Sequence, residues 1–278
     1  MGFGVKHTET SKNMQNGIYL FGIAYSDLLP DLEGTGLEEQ MPLILHRVKD
    51  IVAVAGTVCL EDFCSEEAQA KLQDLNWVAP RACRHELVLE QIMAHSPLFP
   101  ARFGTIFSAR EKLYRLLEER YPAILSFLEK MRDKEEWSLK GFLDKTAAKE
   151  KLFALLVSQN REKLAALAPG KRYFEEQRIK NSLDAELNHW LKERAKKLAA
   201  DLSGYAADFC ERKVLSREVT GKDTDMALNW AFLVPKDRVM DFCECIKKLN
   251  TEYNQWGIAL EYSGPWPPYS FSASLMPV

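Results

Sequence analysis

His85 and Glu86 stand side by side, with Arg81 and Arg84 just before them and Arg102 further on. An imidazole beside a carboxylate is the pair used in acid–base work and in zinc peptidases. The zinc motif needs a second histidine four residues after the first, so that both face one metal. Leu89 stands there instead, and the metal reading fails. Two readings of the cluster remain. Arg81, Arg84, His85 and Arg102 together suit a basic site for a carboxylate or a phosphate. Alternatively, Arg102 pairs with Glu86 while His85 closes an internal hydrogen bond. Arg81, His85, Glu86 and Arg102 are then a structural polar cluster, which is the preferred reading.

The other reactive residues carry less. Cys59, Cys64, Cys83, Cys210, Cys243 and Cys245 are too scattered for a zinc set and read as reduced thiols. Cys243 and Cys245, two apart on a helix, point in different directions and read as packing. Gly34-Thr35-Gly36 lacks the third glycine of a dinucleotide loop. Gly221-Lys222 lacks the upstream glycine and the following Ser or Thr of a phosphate loop. No nucleophile comes with an identifiable base. No catalytic residue, cofactor or metal is expected, and an enzyme of unknown type using the Arg81/His85/Glu86/Arg102 cluster is the alternative.

The elements that must position these residues follow from periodicity. Composition is that of a globular chain: 278 residues, 46% hydrophobic, 28% charged, net charge -3. Nothing in it points to nucleic acid or to a membrane, and no apolar run reaches the length of a membrane span. Residues 1–16 read as a disordered polar tail, neither a secretory signal nor, with Lys6 in place of Ser or Thr, a myristoylation site. A cytoplasmic protein is expected.

Residues 17–26 form a strand buried on both faces, followed by a strand pair over 43–47 and 51–58. A helix spans 77–95, residues 102–107 are extended, and a long helix over 108–132 is kinked or split by Pro122. The charged run 133–136 marks a boundary between a 17–135 α+β domain and a 136–262 domain. In the second domain a strand over 137–143 precedes helices over 145–168 and 172–202, an antiparallel pair broken at Pro169-Gly170. A hairpin over 213–220 and 226–234, a helix over 236–256 and a strand over 257–262 complete a βαββαβ, ferredoxin-like order. The fold class is α+β with two domains, the C-terminal one ferredoxin-like with a long helical pair. Leu183, Leu187 and Trp190 form an apolar stripe on that pair, either core or a surface for a partner.

Residues 263–278 read as a Pro/aromatic tail, with SGPWPPYSF on an extended, polyproline-like path. Its Trp266, Tyr269 and Phe271 have two roles open: closing a sheet edge, with Trp266 and Phe271 buried, or facing a partner.

This tail resembles the C-terminal signature of the gas vesicle F/L (GvpF/GvpL) family, with the F member the nearer expectation. GIYLFGI (17–23) resembles the family's opening strand, and 81–86 with 100–107 resemble its RAxxHE and PxRFGTxF segments. EWSLK (136–140) and NWAFLV (229–234) resemble later segments, in the family's order. The resemblance implies two α+β domains and a non-catalytic minor component or assembly factor of gas vesicles in the cytoplasm. It implies binding to the small hydrophobic shell protein GvpA, limiting its aggregation during nucleation, with other accessory proteins of the vesicle as further partners.

Overall fold

The computed structural model describes residues 15–38 and 40–272. The tail expected for residues 1–16 lies outside the described residues up to Met14, and Asn16 already opens the first strand. Residues 273–278 also lie outside them. The chain divides into two compact units. One comprises residues 1–132 together with 267–278, the other residues 133–266.

The first unit is built on β1 (Asn16–Tyr25), β2 (Leu43–Val48) and β3 (Ile51–Cys59). β1 is central, with β3 on one side and β4 (Leu98–Pro100) and β5 (Ile106–Phe107) on the other, all antiparallel. A central strand covered on both faces has no polar side to offer, which explains its unbroken apolar run. Between β3 and β4 lie α1 (Glu61–Cys64), α2 (Glu66–Gln73) and α3 (Leu75–Met93). Asp74 caps α3 by accepting from the Asn76 N–H, and the helix buries His85, Val88, Leu89 and Ile92.

The expected extended stretch over 102–107 is shorter than read. A turn at Gly104, φ +83°, leaves only Ile106 and Phe107 in β5. The helix expected over 108–132 is split, α4 (Arg110–Glu119) and α5 (Tyr121–Met131), with Pro122 in the first turn of α5, where its missing N–H costs nothing.

The second unit opens with β6 (Lys134–Leu143). Then come α6 (Lys145–Gln159), α7 (Arg161–Ala165) and the 35-residue α8 (Pro169–Ser203), which starts on its proline. β7 (Asp208–Glu211), α9 (Arg217–Thr220), β8 (Asp225–Pro235), a 3₁₀ turn over Lys236–Arg238, α10 (Val239–Asn254) and β9 (Ile258–Trp266) complete it. The sheet order is β7-β8-β6-β9, all antiparallel, which is the ferredoxin-like arrangement.

Two expectations fail here. The strand before β8 is β7, not residues 213–220, which hold a loop and α9. Val214 and Val219 have strand propensity but stay exposed, whereas Phe209 packs on Trp230 and Phe232 at 5.2 and 4.9 Å. The polyproline path expected from residue 263 is also replaced. β9 runs through to Trp266, and the chain then returns to the first unit as α11 (Tyr269–Ser272).

The first unit repeats the strand order of the second. β2-β3-β1-β4 corresponds to β7-β8-β6-β9, with a connection that holds no helix among its described residues where the second unit carries α6–α8.

Candidate functional site

The sequence cluster around His85 resolves into a closed polar network in the core of the first unit. His85, on α3, is 1% exposed. Its Nε2 lies 3.2 Å from the Ala101 carbonyl and 3.0 Å from the Tyr269 hydroxyl, and its Nδ1 lies 2.9 Å from the Tyr19 hydroxyl. A carbonyl only accepts, so Nε2 carries the proton and Nδ1 accepts from Tyr19. The Tyr19 oxygen in turn accepts from the Gly104 N–H at 3.2 Å, presented by the left-handed turn between β4 and β5. Tyr269 donates to Glu86 Oε1 at 3.0 Å. Every donor therefore runs one way, from Gly104 through Tyr19, His85 and Tyr269 to Glu86.

The electrostatics fit a neutral imidazole. Burial pushes His85 down to about 4, against a weaker opposing pull from the Ala101 carbonyl. Burial raises the hydroxyls of Tyr19 and Tyr269, so both stay protonated. Glu86 is raised too, chiefly by burial, with the Tyr269 hydroxyl working against it. Phe21 stacks on the imidazole at 5.6 Å, and Tyr19 and Phe103 meet it edge-on. Cavities of about 430 and 740 Å³ occur elsewhere, and neither is lined by His85. The network lies within the core of the first unit, around a histidine with almost no exposed surface.

The basic recognition site is not assembled. Arg81 makes a two-oxygen pair with Glu38, at 2.9 and 3.1 Å, and lies over Trp77 at 4.1 Å. Arg102 is exposed, and the partner of Glu86 is Tyr269 rather than Arg102. Scaffolding by Arg102 is corrected accordingly: its guanidinium is in water, where pairing gains little. The tyrosines that complete the network went unread. Tyr19 was visible inside GIYLFGI, but nothing in its spacing points to residue 85.

The proposed partner stripe is likewise relocated. Leu187 is 3% exposed in the core of the second unit, and Leu183 and Trp190 pack against that core, with the Trp190 ring tilted against Trp256 at 5.1 Å. These three face inward because this half of α8 covers the sheet. Tyr269 is hydrogen-bonded within the His85 network, and Phe271 is half-buried with Lys130 over its ring at 5.6 Å. Trp266 is 45% exposed at the end of β9 rather than buried.

The exposed apolar surface of α8 lies on its other half. Residues 169–182 include no buried side chain, and this part is held by α6 through Lys180 over Phe153 at 5.4 Å. Tyr173 and Phe174 project from it, 59% and 72% exposed. The signal was readable: two adjacent aromatics inside the charged stretch KRYFEEQR, directly after Pro169-Gly170.

No described helix is long and apolar enough to cross a membrane, and no group of three metal-ligating side chains exists among the described residues. The chain is 27% identical to gas vesicle protein L of a Streptomyces species, over 92% of this chain and 91% of that protein. It is equally 27% identical to gas vesicle protein F of the same species, over 91% and 98%. Crystal structures of GvpF from an Anabaena species and from Microcystis aeruginosa share its fold. Their TM-scores are 0.68 and 0.65, at 20% and 19% identity, each match covering 92% of this chain and 98% of that one. The model of the family described as gas vesicle synthesis protein GvpL/GvpF matches residues 17–273, and the chain belongs to that family.

Proposed function

We propose that this protein is a non-catalytic accessory factor of the gas vesicle that binds the shell protein GvpA and keeps it from aggregating until it joins the shell. Family membership supports the setting, and one structural observation carries the mechanism. Tyr173 and Phe174 stand exposed on the half of α8 that extends past the core, where apolar surface serves a partner rather than packing. Trp266 adds a third exposed aromatic in the same unit. A small protein with uncovered apolar strands associates edge to edge, and an aromatic surface that covers them suppresses this. The site of action is the gas vesicle within the cytoplasm, with other accessory proteins as further partners.

Light scattering of GvpA with and without the purified protein tests this. The protein is expected to delay GvpA aggregation and to form a complex. Replacing Tyr173 and Phe174 together by Ser should abolish both effects while leaving thermal unfolding unchanged. Unchanged aggregation and no complex with the native protein would sink the reading. The enzyme alternative has less support, because Arg81 pairs with Glu38, Arg102 is exposed and His85 is buried.

A further inference from the structure

The second unit carries a pocket of about 430 Å³ that opens to solvent. Its walls come from Leu143, Leu191, Leu228 and Ile258, with Tyr253 and Met226 beside them. Protein interiors are packed nearly as tightly as organic crystals, and water settles only where polar partners hold it. An apolar-walled space of this size falls in the range of small-molecule sites, and its walls suit a hydrocarbon.

The rim carries charge of one predominant sign. Lys145, Lys192, Arg194 and Arg217 line the cavity, and Asp225 is the sole acid in its lining. Asp225 is shared by two of the cations, Lys145 and Arg217, each at 2.6 Å, which hold its carboxyl at about 2. Arg194 is taken by Glu252 at 3.2 Å. Lys192 has no hydrogen bond or ion pair among the described residues. The mouth is flanked by Leu215, 37% exposed. An apolar pocket with one uncommitted cation and a net positive rim selects a molecule with an apolar body and one negative end.

We propose that this cavity binds a small single-chain amphiphile with an anionic head, of the class of medium-chain fatty carboxylates, the chain lying against Leu191, Leu228 and Ile258 and the head at Lys192. This does not depend on binding to GvpA, and it uses neither Tyr173 nor Phe174.

Isothermal titration of the full chain with sodium decanoate below its micelle concentration tests it, with acetate and decyltrimethylammonium as controls. Saturable one-to-one binding of decanoate is expected, with no binding of either control. Lys192→Glu, at an exposed position, should weaken decanoate about ten-fold or more. Ala195→Phe, which fills the cavity, should abolish binding. If that variant fails to fold, Lys192→Glu alone decides. Absence of saturable heat, equal binding of the cationic amphiphile, indifference to Lys192→Glu, or association only with anionic lipid vesicles would each overturn the assignment.

Discussion

A histidine held neutral inside a core makes stability depend on pH, and the sign follows from the direction of its shift. His85 has an ordinary value of 6.5 and a folded value of about 4. Above 6.5 it is neutral in both states and contributes no pH dependence. As pH falls from 6.5 towards 4, the unfolded chain takes up a proton that the folded network refuses, and unfolding becomes easier by at most about 3 kcal/mol. His46 is also lowered, by burial and by Arg110, and adds in the same sense. Glu86, raised by burial, acts oppositely: its protonation as pH falls favours the folded state and offsets part of the loss. Urea midpoints measured from pH 7 to pH 4 should therefore drop, and His85→Gln should flatten the decline without removing it. An unchanged slope in that variant would place the titration elsewhere. That His85 would sit in the core could be anticipated from the helical stripe it shares with Leu89 and Ile92. Its partners could not, because Tyr19 and Tyr269 reach it only through tertiary folding.

Elements were legible where one force dominates. β1 from Gly17 onward and β3 are largely apolar and largely buried, and Pro122 divides α4 from α5 as a missing donor requires. Misreading came where propensity and burial disagree. Val214, Leu215 and Val219 look like strand yet stay on the surface, while β7 is built from DFCE, whose single aromatic ring does the packing. The stripe Leu183, Leu187 and Trp190 was seen, but which half of a 35-residue helix meets a sheet depends on where that sheet ends. One connection makes a sharp test. Gly257 links α10 to β9 at φ +74°, and a Cβ there would sit 3.0 Å from the Asp144 carbonyl oxygen and 3.2 Å from the Ala147 side chain. Asp144 caps α6 through the N–H groups of Thr146 and Ala147. Gly257→Ala should cost about 2 kcal/mol in urea unfolding, from the left-handed backbone alone and more if the α6 cap shifts. A loss under a few tenths would show that the turn relaxes freely.

At the scale of the whole molecule the chain runs from the first unit into the second and back again. α11 belongs to the first unit although it is last among the described elements, and it brings Tyr269 to His85 and Glu86. The charged run at 133–136 signalled a change of unit, but nothing in SGPWPPYSF marks the return at residue 267. A chain ended after Trp266 should therefore lose thermal stability in the first unit and keep it in the second. Residues 133–266 made alone should fold, because their core draws on no residue outside them. Calorimetry resolves the two cases: a truncation that lowers both transitions equally, or neither, contradicts the division.

The register of β6 and β9 sets Glu136 opposite Trp266, so the two ends of the second unit are neighbours within its own sheet. An inserted body with adjoining ends interrupts its host without stretching it. On the ribosome this reverses the usual order, in which the N-terminal domain finishes first. The first unit must wait with Tyr19 and His85 unsealed while the entire second unit is made, and it closes only when α11 emerges with Tyr269.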